Sequence, residues 1–161
     1  MTTVFEASAL PTAELTESVL GLPSAQPIGD APIVVRSAVK FKSADGKVIS
    51  GVWECEPGAS RWEFDARGEL VTVLSGRMTV QEDGGEPAEV SAGFTAYFPL
   101  GWRGVWTVHE TLRKVYVVYK PEIAGWDCLR RSGLRHIGSD IAGTGSNDGG
   151  LPLRAVPTEY H

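Results

Sequence analysis

The sequence contains no apolar run approaching the roughly 20 residues that a membrane-spanning helix requires, so no membrane association is expected. Its first 35 residues hold no Lys or Arg; the charged start of a secretion signal is missing, and a cytoplasmic location is expected. Cysteine is scarce: Cys55 and Cys128 are too few for a disulfide framework, neither sits in a Cys-x-x-Cys pair, and both read as buried thiols. Basic residues are outnumbered, 15 Lys and Arg against 20 Asp and Glu. The net charge of -5 offers no positive face able to displace counterions from phosphates, which excludes nucleic acid as an expected partner.

What is present is the material of one turn-rich domain: 161 residues with 19 Gly and 10 Pro. Charge divides the chain in three. Residues 1–35 hold four acids and no bases, whereas residues 36–120 hold eleven of each and the remainder is nearly balanced. The expected organisation is an N-terminal arm over 1–37, a barrel over 38–120 and a Gly-rich extension over 121–161. In the arm, Thr12 as N-cap and Gly21 as stop predict one short helix ending at Leu20.

Between them, short runs rich in Val, Thr and aromatics recur with turn residues in the gaps. They predict strands at Val48–Glu56, Glu69–Leu74, Arg77–Gln81, Ala88–Val90, Thr95–Phe98, Gly104–Val108 and Thr111–Tyr119. Ser75-Gly76 predicts a tight hairpin and Asp83-Gly84-Gly85 the next reversal, giving an up-and-down order in an all-β antiparallel sandwich or barrel.

Two spacings are specific. Glu69 is followed after six residues by Gly76, and Gly93 after five by Pro99, with Gly101 one residue further on. Glu-x6-Gly and Gly-x5-Pro-x-Gly resemble the halves of the two motifs of the cupins, which are small antiparallel jelly-roll barrels. Gly51-Val-Trp-Glu-Cys, Arg61-Trp62, Gly101-Trp-Arg-Gly-Val-Trp106 and Glu110-Thr-Leu-Arg-Lys-Val-Tyr116 resemble the small single-domain cupins related to the ureidoglycine aminohydrolase cupin domain. The likeness spans about residues 38 to 120. It does not extend to that activity's substrate, whose metal-binding residues are unmatched here.

Metal-binding cupins show His-x-His-x3 or 4-Glu-x6-Gly, then a His shortly after the Pro-x-Gly. With a four-residue gap, Trp62 and Phe64 occupy the two His places; with three, Glu63 and Asp65 do. Gly104 occupies the third. No resident metal is therefore expected. The alternative is a divalent ion on a carboxylate cluster of Glu63, Asp65 and Glu69, an oxygen set that suits hard cations. His109 falls one residue beyond the inward parity of Gly104, Trp106 and Val108 and is expected to face out, while His136 and His161 lie in the extension.

By the resemblance Glu69 points into the barrel, where a carboxylate needs a partner, a hydrogen bond or a proton. It is the candidate acid/base. Lys114 and Tyr116 share one strand face and join it as catalytic candidates if that face is inward; if not, Arg113, Val115, Val117 and Tyr119 line the interior. The alternative for Glu69 is a structural ion pair with Lys114 or Arg113, or an exposed position at the barrel mouth. Trp62, Phe64, Tyr97, Trp102 and Trp106 are the candidate ligand-binding walls, with core packing as their alternative.

The expected function is a metal-independent, small-molecule-acting cupin that uses Glu69 on a small, nitrogen-containing metabolite. The alternatives are a non-catalytic small-molecule binder, or an assembly protein whose barrel is mostly packed. A homodimer is expected, with the proline-rich arm covering exposed sheet edges.

Overall fold

A computed structural model describes residues 2–23 and 25–121. The extension, with Cys128, His136 and His161, lies outside the described residues apart from residue 121. The strands are β1 (Thr16–Val19), β2 (Ala25–Pro27), β3 (Val34–Lys42), β4 (Val48–Cys55), β5 (Gly58–Glu63), β6 (Gly68–Glu82), β7 (Ala88–Ser91), β8 (Thr95–Phe98) and β9 (Arg103–Tyr119). All their pairings are antiparallel, and the curled sheet is the jelly-roll barrel expected.

Two long strands organise it. β9 pairs with β6 along its length, and on its other edge with β4 through residues 112–119 and with β5 through residues 103–108. β6 likewise takes β8 beside residues 69–72 and β7 beside residues 77–80. The result is two half-sheets, β1-β3-β4-β9-β6-β8 and β2-β5-β9-β6-β7, that share β6 and β9 and are joined where those strands bend. Side chains from both contribute to one hydrophobic core.

The bend corrects the expected hairpin. Residues 74–77 do not reverse the chain: β6 continues through them, and its register against β9 shifts between Val73 and Met78, a bulge that turns the strand. Gly76 stands there at a φ of 82°, and a Cβ on it would lie 2.2 Å from the Thr111 carbonyl oxygen. A glycine with positive φ serves a bulge as well as a turn, so the residue was legible and its role was not. Opposite, Val73 exchanges backbone hydrogen bonds with Gly93 and Phe94 at 2.9 and 3.0 Å, which marks the corner between β7 and β8.

The up-and-down order is likewise corrected, because β4 and β5 both lie along β9 while β7 and β8 both lie along β6. The helix expected over Thr12–Leu20 is a single 3-10 turn at Thr12–Glu14, and the residues after it become β1 against β3. Leu15 and Leu20 are buried, Thr12 donates to Glu54 at 3.0 Å, and Arg113 donates to the Leu10 carbonyl. Burial and strand pairing outweigh a weak local preference for helix. Among the described residues no helix is long and apolar enough to cross a membrane.

Candidate functional site

The alternation of β9 decides which face is inward. Gly104, Trp106, Val108, Leu112, Lys114 and Val118 are buried and Tyr116 half-buried, so the even-numbered residues face in, apart from the exposed Glu110 between the two halves of the strand. Arg113, Val115, Val117 and Tyr119, the alternative lining, belong to the outer face. His109 is exposed and shares a 2.7 Å hydrogen bond with Thr79. On β6, Glu69, Val71 and Val73 are buried on the same interior.

Glu69 stands across from Val118 and Lys114 across from Val73, both pairs between β6 and β9. The long lysine stem closes the separation between them, and Nζ donates to Glu69 Oε1 at 2.7 Å. Lys114 is 2% exposed and Glu69 4%, so this is a buried ion pair. Of the two partners weighed for Glu69, the structure has Lys114. Arg113 lies near Glu54 instead, at 3.5 Å.

Aromatic faces enclose the rest of the ammonium. Nζ lies 4.4 Å from the Trp106 ring centroid, 4.5 Å from that of Trp53 and 5.8 Å from that of Trp62. A desolvated cation over such faces gains about 2 kcal/mol, part of the return on its lost hydration. Burial pushes the Lys114 ammonium down from its ordinary range while Glu69 holds it up. Burial also raises the Tyr116 phenol, with the Glu69 charge adding to it, and pushes the Cys55 thiol up to about 12.

The pair forms one wall of a cavity of about 380 Å³ on the inner face of β1, β3, β4, β6 and β9. Trp53, Trp62, Arg67, Tyr116 and Lys120 also line it. The structure thus gathers Glu69, Lys114, Tyr116 and Trp62 at one cavity. Trp53, Arg67 and Lys120 were not singled out. Trp53 faces Lys114 across β4 and β9, a pairing that sequence-adjacent strands alone do not reveal.

The other aromatic candidates do not line the cavity. Phe64, Trp102 and Trp106 are buried in a ring cluster with Phe98, in which Trp62 stacks on Trp106 at 4.2 Å and Phe64 on Phe98 at 5.6 Å. Backbone hydrogen bonds between Phe64 and residues 101–102 hold the two loops that deliver these rings. Tyr97 is 56% exposed and stacks on Tyr119 on the outer surface, where the two hydroxyls are hydrogen-bonded. For Phe64, Trp102 and Trp106 the packing alternative describes their surroundings; Trp62 sits at the edge of the cluster and closes the cavity.

The residues present do not fit a His-ligated metal. Trp62 and Phe64 are committed to ring stacking, and a Cβ added to Gly104 would lie 2.6 Å from the Trp102 ring, leaving no room for an imidazole there. The cation beside Glu69 is the lysine's own. Nor are the three carboxylates together: Glu63 and Asp65 are exposed and face Arg103 at 3.8 and 2.8 Å, away from Glu69. Among the described residues no three His, Cys, Asp or Glu side chains gather in a metal-binding group.

Comparison with known proteins agrees with this architecture. The EutQ-like cupin domain matches residues 42–116. A protein of unknown function of the DUF861 family from Pseudomonas syringae pv. tomato is 26% identical with a TM-score of 0.57, over 65% of this chain and 43% of that one. The chain thus spans less than half the length of that relative. A predicted oxalate decarboxylase from Thermotoga maritima (12% identical, TM-score 0.53, 70% of this chain and 99% of that one) shares the fold. So does the cupin domain of Cnp3 from Schizosaccharomyces pombe, at 16% identity and TM-score 0.50, over 61% and 71% of the two chains. No curated protein matches the chain.

Proposed function

We propose that this cupin-like barrel, whose residues 42–116 match the EutQ-like cupin domain, acts on a small metabolite, using Glu69 and Lys114 for proton transfer beside Tyr116 and without a His-ligated metal. The observation that carries this reading is the buried 2.7 Å ion pair on the wall of a cavity that Trp53, Trp62 and Tyr116 also line. A charged pair taken out of water gains little net stability over an apolar pair of the same volume. Its placement where a ligand fits therefore supports a chemical use. Glu69 takes a proton from a substrate O–H, N–H or activated C–H, and the Lys114 ammonium faces the charge that develops and gives a proton to the departing or recipient atom. The pair begins with one proton on nitrogen and ends with one on oxygen, so the cavity's charge is unchanged. Isomerisation, elimination and hydrolysis of a nitrogen-containing metabolite all fall within this chemistry.

Non-catalytic binding is the second reading, favoured by the rings of Trp53 and Trp106, which stabilise the ammonium in its charged form. The unfilled 380 Å³ supports either over a purely structural barrel. A homodimer in the cytoplasm completes the proposal. The outward side chains of Leu70, Phe94 and Tyr97, each at least 40% exposed, support an association face, and light scattering reads it.

The test is turnover of a metabolite panel, followed by NMR, with the full-length chain and the double variant Glu69→Gln/Lys114→Met. Removing both charges keeps the fold, and turnover is expected to fall about 100-fold or more. A double variant that turns over the substrate as fast as the parent overturns the acid/base role. Saturable binding without turnover selects the second reading.

A further inference from the structure

Resting on that reading of the cavity, we propose that its ligand is a small carboxylate carrying a hydrogen-bond donor, a hydroxyl or N–H group, at its other end. The argument begins with the charged residues of the wall, which are Arg67, Lys114 and Lys120 against the single carboxylate of Glu69. Lys114 and Glu69 neutralise each other at 2.7 Å, which leaves the half-buried Arg67 and the exposed Lys120 as the remaining charges of the wall. Neither Arg67 nor Lys120 makes an ion pair among the described residues. The Arg67 guanidinium carbon lies 5.9 Å from the centroid of the Phe64 ring. An amine entering this cavity meets like charge, and a neutral molecule leaves both cations uncompensated. A carboxylate compensates them, and the planar guanidinium presents a fork of donors matched to its two oxygens.

The inner end selects the second group. Glu69 bonds Lys114 through Oε1, and Oε2 has no hydrogen bond among the described residues; nor does the Tyr116 hydroxyl. A free carboxylate oxygen accepts and cannot donate, so the ligand atom that meets it must carry a proton. A ligand with an anionic end at Arg67 and Lys120 and a donating end at Glu69 satisfies both ends of the cavity. That donated proton is the one that Glu69 takes in the proposed chemistry. A volume of 380 Å³ lies at the small end of ligand cavities, which suits a single compact metabolite.

The experiment titrates the full-length chain, followed by tryptophan fluorescence from Trp53 and Trp62 at the cavity. The probes are ω-hydroxycarboxylates of two to five carbons, the matching fatty acids, the matching diols and the matching alkylamines. One hydroxycarboxylate is expected to bind at least about tenfold more tightly than its fatty acid, diol and amine counterparts, as a lost charge-assisted hydrogen bond implies. The double variant Arg67→Gln/Lys120→Gln is expected to weaken that hydroxycarboxylate about tenfold or more and to leave diol binding unchanged. Diols or amines that bind as tightly as the hydroxycarboxylates, or an unchanged affinity in the double variant, overturn the proposal while leaving small-molecule binding at this cavity intact. Binding of none of the probes also overturns it, and the Glu69 and Lys114 chemistry then stands or falls on the turnover test alone.

Discussion

The two half-sheets share β6 and β9 yet treat their inner faces in opposite ways. Around β5 and the loops at 64 and 102, five large buried rings, Trp62, Phe64, Phe98, Trp102 and Trp106, pack against one another in stacked, tilted and edge-on pairs. Across the bend, the inner face of β3, β4, β6 and β9 carries Ser37, Ile49, Glu69, Lys114 and Tyr116 around an open cavity. The lesson is that one barrel divides its interior into a part that holds the fold together and a part available to a ligand. The division runs along Trp62, which stacks on the filled side and lines the open one.

Emptying the filled side breaks this contrast most severely. Trp106 is fully buried, and Trp106→Ala is expected to cost about 3–5 kcal/mol, read as a lowered urea midpoint with an unchanged slope. A cost below about 1 kcal/mol shows that the rings around Trp106 collapse easily and that the two halves differ less than their packing indicates.

On the open side, Lys114→Met leaves Glu69 buried without its partner and is expected to cost about 3 kcal/mol. Adding Glu69→Gln should restore most of it, because the uncompensated charge then disappears. A double variant as unstable as the single one assigns the loss to packing rather than charge, which makes the open half as structural as the filled one.

The smallest effect sharpens the contrast between this inner pair and an outer one. On the water-exposed side of the barrel, Glu56 accepts from Arg36 at 2.8 Å and from the Thr111 hydroxyl at 3.1 Å. These bonds hold the Glu56 carboxyl below its ordinary range. A carboxyl depressed on folding adds stability above its unfolded value near 4.5, and that stability is lost as pH falls through the lower folded value. Glu56→Gln should therefore lower Tm slightly at pH 6, by the equivalent of at most about 1 kcal/mol, and the difference should shrink progressively as pH falls below 4.5. A difference that persists unchanged into acid means the pair acts through shape and not charge.

The same contrast explains what the sequence could tell. Period-two alternation placed Lys114 and Tyr116 on one face of β9 without deciding whether that face was inward, and the cupin resemblance supplied the inward Glu69, so the pair was legible only as one of two alternatives. Aromatic identity did not distinguish wall from filling: Trp53 and Trp106 are both Trp on inward positions, and only the cross-strand arrangement separates one at the cavity from one in the stack. The continuity of β6 and β9 was hidden because a bulge and a turn use the same glycine, and the pairing of β4 with β9 spans some sixty residues of chain. Arg67 and Lys120, beyond the ends of strands, carried no periodic signal at all.

Lys114 has one more consequence. A cation that arrives from solution is subject to supply, exchange and removal by chelators. The ammonium beside Glu69 is tethered by a covalent stem, so its local concentration is set by chain geometry and not by the medium. Occupancy is complete once β6 and β9 have paired, at a fixed stoichiometry of one per chain.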